Sequence, residues 1–481
     1  MPDSQMPFKD LREFIDKLEK EGEAQSIEEE VDWNLEAGAM LRRATEQNFP
    51  APFFQKIKDY PNGYRLFGGS LANYRRISIA MDKSPDTSQQ ELMEEYLKRK
   101  KRTLKPVLVH EAPCKENIAR GDEVDLLKLP VPFLHEGDGG RYLGTFHLTI
   151  SKDLDSDWVN WGMYRSMLHD KNSVSMWATP GSHLDGMYKR SYEPQGIPME
   201  VAIVLGTEPI SALCTAIPIA YGVSEVDVAG GIRGEPVELV KCETIDLEVP
   251  ATAEIVIEGE MRPHERKDEG PFGDFTGYVT HGRKSVPVVH VKAITYRNDP
   301  IFTMSCMGIP VDDDTAIHSV TKGAEYLEAL RASGLPVTGV CVLAEASELI
   351  TVVAVKPPFS NVAEVIADIV WGTRAGRHLP YIIVVNDDVD PFDRSQVWHA
   401  LATKCHPDRG IVKRKRGVLM PLLPSATSYE RRHGLGARTY FDCTWPLDCD
   451  PKELPKRVSF KEIYPEEIQR KALAKWQKYG Y

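Results

Sequence analysis

The sequence predicts a mixed α+β chain in which a central β-barrel or open sheet is flanked by a small N-terminal α/β region and a C-terminal α/β unit. Three observations carry this prediction. The middle of the chain holds period-2 apolar runs joined by Gly- and Pro-bearing turns, as in barrels and open antiparallel sheets. From about residue 310, helical and strand-like runs alternate. The first hundred residues or so begin and end on helical stripes that enclose short strands. The expected units are 1–115, 116–308 and 309–481.

The opening stretch "FKDLREFIDKLEKEGE" spaces Phe8, Leu11, Phe14, Ile15 and Leu18 along one helical face, and Gly22 stops it. Residues 27–75 read as short strands and turns, and "QQELMEEYLKRKKR" as a second helix. A proline-rich, linker-like stretch then runs to "LPVPFLHEG". The central strands are "FHLTISKD", "PMEVAIVLG", "AEIVIEGEM" and "SVPVVHVKAITY", and Pro287 favours an edge or a strand start. Helical insertions are expected around Val223 to Ala229 and near Met199. In the last unit "AIHSVTKGAEYLEALRASG", "NVAEVIADIVWGTR" and "SQVWHALATKC" read as helices. "GVCVLAE", "ELITVVAVK" and the start of "YIIVVNDDVDPFD" read as strands. The tail beyond Arg457 reads as helical and suited to packing on a partner subunit.

Composition narrows the function. A 481-residue chain has room for two or three domains and a buried site. A net charge near −12 argues against non-specific binding to nucleic acid or anionic membrane, and the basic clusters "KRKKR" and "KRKR" read as solvent-facing. No stretch has the length and apolarity of a membrane span or leader. The eight cysteines form no CxxC pair and read as reduced thiols, so a cytoplasmic protein is expected. Neither a G-x-G-x-x-G fingerprint nor a P-loop lysine is present.

Three groups of residues can carry chemistry. In "KDEGPFGDFTGY", Glu269 and Asp274 flank a Gly-Pro-Phe-Gly turn. Five residues apart on a continuous strand they would face opposite sides, but Pro271 and Gly273 allow the segment to fold back. Two carboxylates in one cavity raise the proton affinity of one of them; the other reading is a turn with two solvated acids. In "WVNWGMYRSMLHD", Arg165 either grips a substrate carboxylate with its planar fork or closes an internal salt bridge. Asn160, His183 and Glu225, 23 and 42 residues apart, supply an amide oxygen, an imidazole and a carboxylate, a set that suits Mn²⁺ or Mg²⁺. Spacing that wide does not by itself define a site.

Four ordered blocks then carry a resemblance: "NWGMYR" (160–165), "IPIAYGVSEVDVAGGIRGEPVELVKCETIDLEVPATAEIVIEGE" (217–260), "EGPFGDFTGY" (269–278) and "NDDVDPFDRSQVWHALATKCHPDRG" (386–410). Over nearly its whole length the chain resembles the UbiD family of reversible decarboxylases, which use prenylated flavin mononucleotide (prenylated FMN). The resemblance implies a split β-barrel flavin-binding domain of the flavin-reductase type, with a C-terminal domain for oligomerisation and pocket closure. Asn160, His183 and Glu225 then look like ligands of a Mn²⁺ (or Mg²⁺) ion on the cofactor phosphate. Trp158, Cys214, Thr215, Ile217 and Glu225 look like the surroundings of K⁺ or another monovalent cation. Gly162, Met163, Tyr164, Ser182, Ala216 and Pro218 would join them along the flavin. Arg165, Glu269 and Asp274 look like the catalytic network, with Asp where the cinnamic-acid-type relatives carry Glu. Arg438 is matched to a basic residue near the cofactor, and His318 to a contact with a ring substituent.

The family's reaction would be non-oxidative, reversible decarboxylation of an aromatic or heteroaromatic acid through a covalent cofactor adduct, with the cofactor as electron sink and Glu269 as proton donor. Three alternatives stay open: an aromatic acyl-CoA decarboxylase, a component of a multi-subunit carboxylase, and a conventional FMN-dependent oxidoreductase. The resemblance further implies a homodimer or homohexamer, CO₂ as co-product, and a flavin prenyltransferase as cofactor supplier.

Overall fold

The computed structural model describes residues 8–280, 282–450 and 452–481, so the polar opening MPDSQMP, read above as no leader, lies outside the described residues. The first helix, Leu11–Lys20, is capped by Asp10, whose side chain accepts the Glu13 N–H, and it buries Leu11, Phe14, Ile15 and Leu18. Each such burial is worth roughly 1.5–3 kcal/mol. The helix packs on a four-stranded sheet made by Ala24–Val31, Ala51–Ile57, Arg65–Gly68 and Ile301–Met304. The last of these pairs parallel with Arg65–Gly68, so a segment expected in the central unit completes the N-terminal sheet. A helix at Glu36–Glu46 interrupts the stretch read as strands and turns. The helix Gln89–Lys100 starts on a reciprocal cap between Ser88 and Glu91.

The central sheet has nine strands. Along it run Tyr142–Gly144, Ser166–Asp170, Ser173–Met176, Lys284–Tyr296, Ile255–Glu269, Met199–Leu205, Leu148–Lys152 and Val159–Gly162, with Asn117–Arg120 added beside Lys284–Tyr296. Val159–Gly162 is one edge, whereas Ser166–Asp170 is next to the other. Residues 163–165 alone join them, and so short a link spans at most about 14 Å. The sheet must therefore curl until its two ends nearly meet. The result is an open-seamed half-barrel, with Met163, Tyr164 and Arg165 in the seam.

Pro287 is the fourth residue of Lys284–Tyr296 and pairs with Arg266, beside a register break between Met261 and Arg266. Met199 starts a strand, correcting the helical insertion expected there; the insertion is earlier, beginning with the helix His183–Met187. The expected insertion around residue 225 is the helix Glu225–Arg233.

The C-terminal sheet runs Val337–Val342, Ile350–Val355, Tyr381–Asn386, Leu435–Cys443, Ile411–Val418. Its inner pairings are parallel and its two edge pairings antiparallel. The 20-residue helix Asp313–Ala332, capped by Asp312, packs against it and reaches the central domain through His318, whose Nε2 lies 2.9 Å from Ala216 O. In the tail, Phe460–Ile463 and Glu466–Leu473 are helical and bury nothing. No helix among the described residues is long and apolar enough to cross a membrane.

Candidate active site

A cleft of about 320 Å³ opens where the seam of the half-barrel meets the C-terminal domain. That is within the range of small-molecule sites. The barrel contributes residues 160–165, Trp177, residues 215–218 and the turn with Phe272, Asp274 and Phe275. The opposite wall is Asp314, His318, Lys322, Glu348, Arg374 and Arg377. A larger cavity, about 920 Å³, lies against the first helix and is ringed by Lys17, Glu21, Lys83, Glu95 and Arg99, charges that largely pair with one another. The convergent apolar and polar groups are in the smaller cleft.

The acid pair and the arginine form one buried unit. The strand Ile255–Glu269 ends on Glu269, and the turn that follows brings Asp274 back to the same side. Arg165 Nη1 donates to Asp274 Oδ2 at 2.7 Å, and Nη2 donates to Glu269 Oε2 at 3.0 Å. Its Nε also makes a 2.8 Å ion-pair contact with Glu269 Oε1. Tyr142, fully buried on the edge strand, donates its O–H to Glu269 Oε1 at 2.7 Å. The guanidinium lies 4.4 Å from the Trp177 ring centre and 5.1 Å from that of Phe272.

The two acids differ. Glu269 has no exposed surface and does not reach the cleft, whereas Asp274 lines it. Burial pushes the Asp274 carboxyl above its ordinary range, against the pull of Arg165. Burial alone would lower Arg165, but Asp274 and then Glu269 raise it. Burial, then Glu269, keeps Tyr142 protonated. Glu269 is thus the carboxylate that accepts from both Tyr142 and Arg165, and Asp274 the one in the cavity with heightened proton affinity. Glu269, expected as the proton donor, is therefore set back from the cleft, and Asp274 is the acid that faces it.

Asn160, His183 and Glu225 also converge. Asn160 is on the edge strand Val159–Gly162, and His183 and Glu225 are the first residues of their helices. His183 Nδ1 lies 2.9 Å from Asn160 Oδ1 and 3.5 Å from Glu225 Oε1. The other Glu225 oxygen accepts the Trp161 N–H at 2.8 Å. All three are buried, and burial raises Glu225 despite its contact with His183. Asn160 Nδ2 and His183 Nε2 are buried with no hydrogen-bond partner among the described residues. Of the two, His183 Nε2 can act as acceptor or ligand, whereas the Asn160 amide N–H₂ can only donate. A second set, Asp314, His318 and Glu348, brings one ligand-type atom each within 4.8 Å of the others. There, however, Lys322 Nζ is 2.7 Å from Glu348, so an ammonium already fills the role of the cation.

Of the residues expected along the cofactor, Asn160, Gly162, Met163, Tyr164, Arg165, Ser182, His183, Thr215, Ala216, Ile217, Pro218 and Glu225 line the cleft. A Cβ at Gly162 would sit 2.5 Å from the Tyr164 ring, so a larger residue there would displace that ring from the cleft wall. Trp158 and Cys214 are buried one layer back; the Trp158 ring packs 4.9 Å from His183 and its indole N–H donates to Val223 O at 2.9 Å. Arg438 is a correction: it is outside the cleft, over Trp371, and donates to the Arg377 carbonyl at 2.7 Å. The cationic residues that do line the cleft from the C-terminal domain are Lys322, Arg374 and Arg377. His318 lines the cleft with Nε2 hydrogen-bonded at 2.9 Å to Ala216 O and Nδ1 facing Glu348 at 3.2 Å and Asp314 at 3.4 Å. Tyr142, Trp177, Asp314 and Glu348 were not singled out from the sequence; only their company here marks them.

Comparison with known proteins places this architecture. The chain matches three family models of 3-octaprenyl-4-hydroxybenzoate carboxy-lyase: the N-terminal domain over 15–96, the Rift-related domain over 105–310 and the C-terminal domain over 315–443. It is 32% identical to a pyrrole-2-carboxylic acid decarboxylase of Pseudomonas aeruginosa over 98% of each chain. Its fold superposes on the closed form of the vanillic acid decarboxylase of Sedimentibacter hydroxybenzoicus with a TM-score of 0.88, at 28% identity over 98% of this chain and 99% of that one. HmfF of Pelotomaculum thermopropionicum, a UbiD-class enzyme solved with FMN, gives 0.82 at 28% identity over 93% and 97%. The fold and cleft define a flavin-dependent carboxy-lyase. The chain belongs to the UbiD family of prenylated-FMN-dependent (de)carboxylases.

Proposed function

We propose that the chain catalyses the reversible, non-oxidative decarboxylation of an aromatic or heteroaromatic acid in this cleft, with Asp274 as the proton-transferring group. The carrying observation is the buried Arg165 shared by Glu269 and Asp274, with only Asp274 open to the cavity. Prenylated FMN, when bound along 215–218, supplies the electron sink that no side chain offers. Asn160, His183 and Glu225 would hold Mn²⁺ or Mg²⁺ for it, a reading supported by the amide oxygen, imidazole nitrogen and carboxylate that converge there. Trp158, Cys214, Thr215 and Ile217 would surround a monovalent cation beside Glu225.

The chain's own residues divide the remaining work. Trp161, Trp177, Phe272 and Phe275 give flat apolar walls that exclude water from an aromatic ring. Arg165 ties Glu269 and Asp274 to one guanidinium and keeps Asp274 at a fixed position, so the proton that replaces CO₂ leaves from the Asp274 carboxyl towards the ring carbon. Carboxylation runs the same proton back. His318 Nε2 is held by the Ala216 carbonyl while its Nδ1 faces Asp314 Oδ2 at 3.4 Å, so recognition of a ring O–H or N–H falls to the Asp314 and His318 pair. A homodimer or homohexamer in the cytoplasm, supplied by a flavin prenyltransferase, completes the reading.

The test loads the protein with prenylated FMN and follows CO₂ release from a panel of hydroxylated and heteroaromatic acids. Asp274→Asn should lose at least about a hundredfold in kcat while retaining the cofactor, a size usual for removing a general acid. Full turnover in that variant would remove Asp274 from the role.

A further inference from the structure

The loop 135–139, at the end of the proline-rich stretch, grips the acid-bearing turn from behind. Asp138 Oδ1 accepts the Gly273 N–H at 2.9 Å, and the Gly139 N–H donates to Pro271 O at 2.7 Å. The approach is so close that a Cβ at Gly139 would lie 2.0 Å from Gly270 O. Asp138 Oδ2 faces His135 Nδ1 at 3.0 Å, and its side chain is wholly buried. The other ring nitrogen, Nε2, is 2.8 Å from Met307 O and 3.2 Å from Cys306 Sγ.

Protonation follows from the partners. The Met307 carbonyl can only accept, and the Asp138 carboxylate already accepts the Gly273 and His135 backbone N–H groups, so a ring with a proton on each nitrogen satisfies both partners. An imidazolium against a buried carboxylate is a charge-assisted pair, about twice as strong as a neutral contact. The groups facing it are Asp138 from its own loop, the Cys306 thiol, and the Phe272 ring edge-on at 6.1 Å. Behind Cys306, Arg42 donates to the Cys306 carbonyl at 3.0 Å and lies 3.8 Å from Asp312. Burial would lower His135, but Asp138 and then Cys306 raise it to about 10.

Met307 lines the cleft and leads into the helix Asp313–Ala332, which carries Asp314, His318 and Lys322. One ion pair therefore joins the turn bearing Asp274 to the start of the opposite wall. We infer that His135 and Asp138 are positioning residues for Asp274, fixing the proton-transferring turn against the Met307 segment across the cleft. This rests on the decarboxylase reading above, and neither residue lines the cavity itself.

The test uses His135→Gln and Asp138→Asn in the full-length protein. Hydrogen–deuterium exchange of the untreated chain should quicken about tenfold or more in residues 270–278, with segments away from the cleft unchanged, the size expected for losing about one hydrogen bond. In cofactor-loaded protein, kcat for CO₂ release should fall about tenfold with KM within about twofold, and the alkaline limb of the pH–rate profile should move, because the proton affinity of Asp274 depends on where the turn holds it. Wild-type exchange in 270–278, or a general loss of stability with an unmoved alkaline limb, would overturn the inference. If the wild-type protein released no CO₂ from any acid, the decarboxylase reading would fail, while exchange would still report on the clamp.

Discussion

Arg165 is the residue on which two buried carboxylates depend. Its side chain is 9% exposed and its fork divides between Glu269 and Asp274, a geometry that an ammonium cannot copy. Removing the charge in Arg165→Met leaves both acids facing each other without a cation, and breaking a buried pair in this way costs about 3–5 kcal/mol. Chemical denaturation should show that loss directly. Arg165→Lys keeps the charge and much of the stability but releases one of the two acids. Its kcat/KM should therefore fall by about a hundredfold or more while the unfolding midpoint moves little. A Lys variant with near-wild-type turnover would mean that the shared fork is dispensable. The acid pair was visible in the sequence because a Gly-Pro-Phe-Gly turn between two carboxylates is locally unusual. The division of labour between them was not, since burial depends on Tyr142, 127 positions away along the chain.

At the scale of elements, the metal-type ligands come from three separate pieces: an edge strand and the first turns of two helices. Their convergence depends on the strand Val159–Gly162 lying against both helix starts, as the Trp161 N–H to Glu225 bond records. Asn160→Ala and His183→Ala should empty the site of Mn²⁺ by elemental analysis and weaken flavin retention, without unfolding the half-barrel. Unchanged metal content would refute the ligand assignment. The period-2 strands and the well-capped helices were legible because local pattern and tertiary burial agree there. The helix Glu36–Glu46 was hidden for a physical reason: its N-cap is Leu35, at φ +70° and with no side-chain bond, and Gly38 lies inside it. The strand Ile411–Val418 was hidden too, because an exposed edge strand carrying Lys413, Arg414, Lys415 and Arg416 has no apolar alternation to read. The linker-like stretch ending in "LPVPFLHEG" showed punctuation, but nothing local told that its His135 would reach Met307.

For the whole molecule, the relation between the half-barrel and the C-terminal domain rests in part on charges that titrate. His318 donates from Nε2 to the Ala216 carbonyl of the barrel, while its Nδ1 is 3.2 Å from Glu348, which also accepts from Lys322. Burial alone would raise Glu348, but His318 and Lys322 bring it down to about 2; burial alone would lower His318, but Glu348 above all lifts it to about 9. A carboxyl held below its unfolded value near 4.5 stabilises above that pH and loses the contribution as pH falls towards 2. An imidazole held above its unfolded value near 6.5 stabilises below that pH and loses the contribution as pH rises through 9. The latch is therefore complete between about pH 4.5 and 6.5 and weakens on both sides, by roughly 3 kcal/mol counted once for the pair. Thermal midpoints recorded from pH 3 to 10 should fall on each flank for the wild-type protein. Glu348→Gln should flatten both flanks, and His318→Gln chiefly the alkaline one. Because the latch bonds to the segment along which the flavin would lie, alkaline pH should also speed amide exchange in 215–218 of the wild-type protein relative to Glu348→Gln. Parallel stability curves for the two proteins would show that the domains are held together by other contacts.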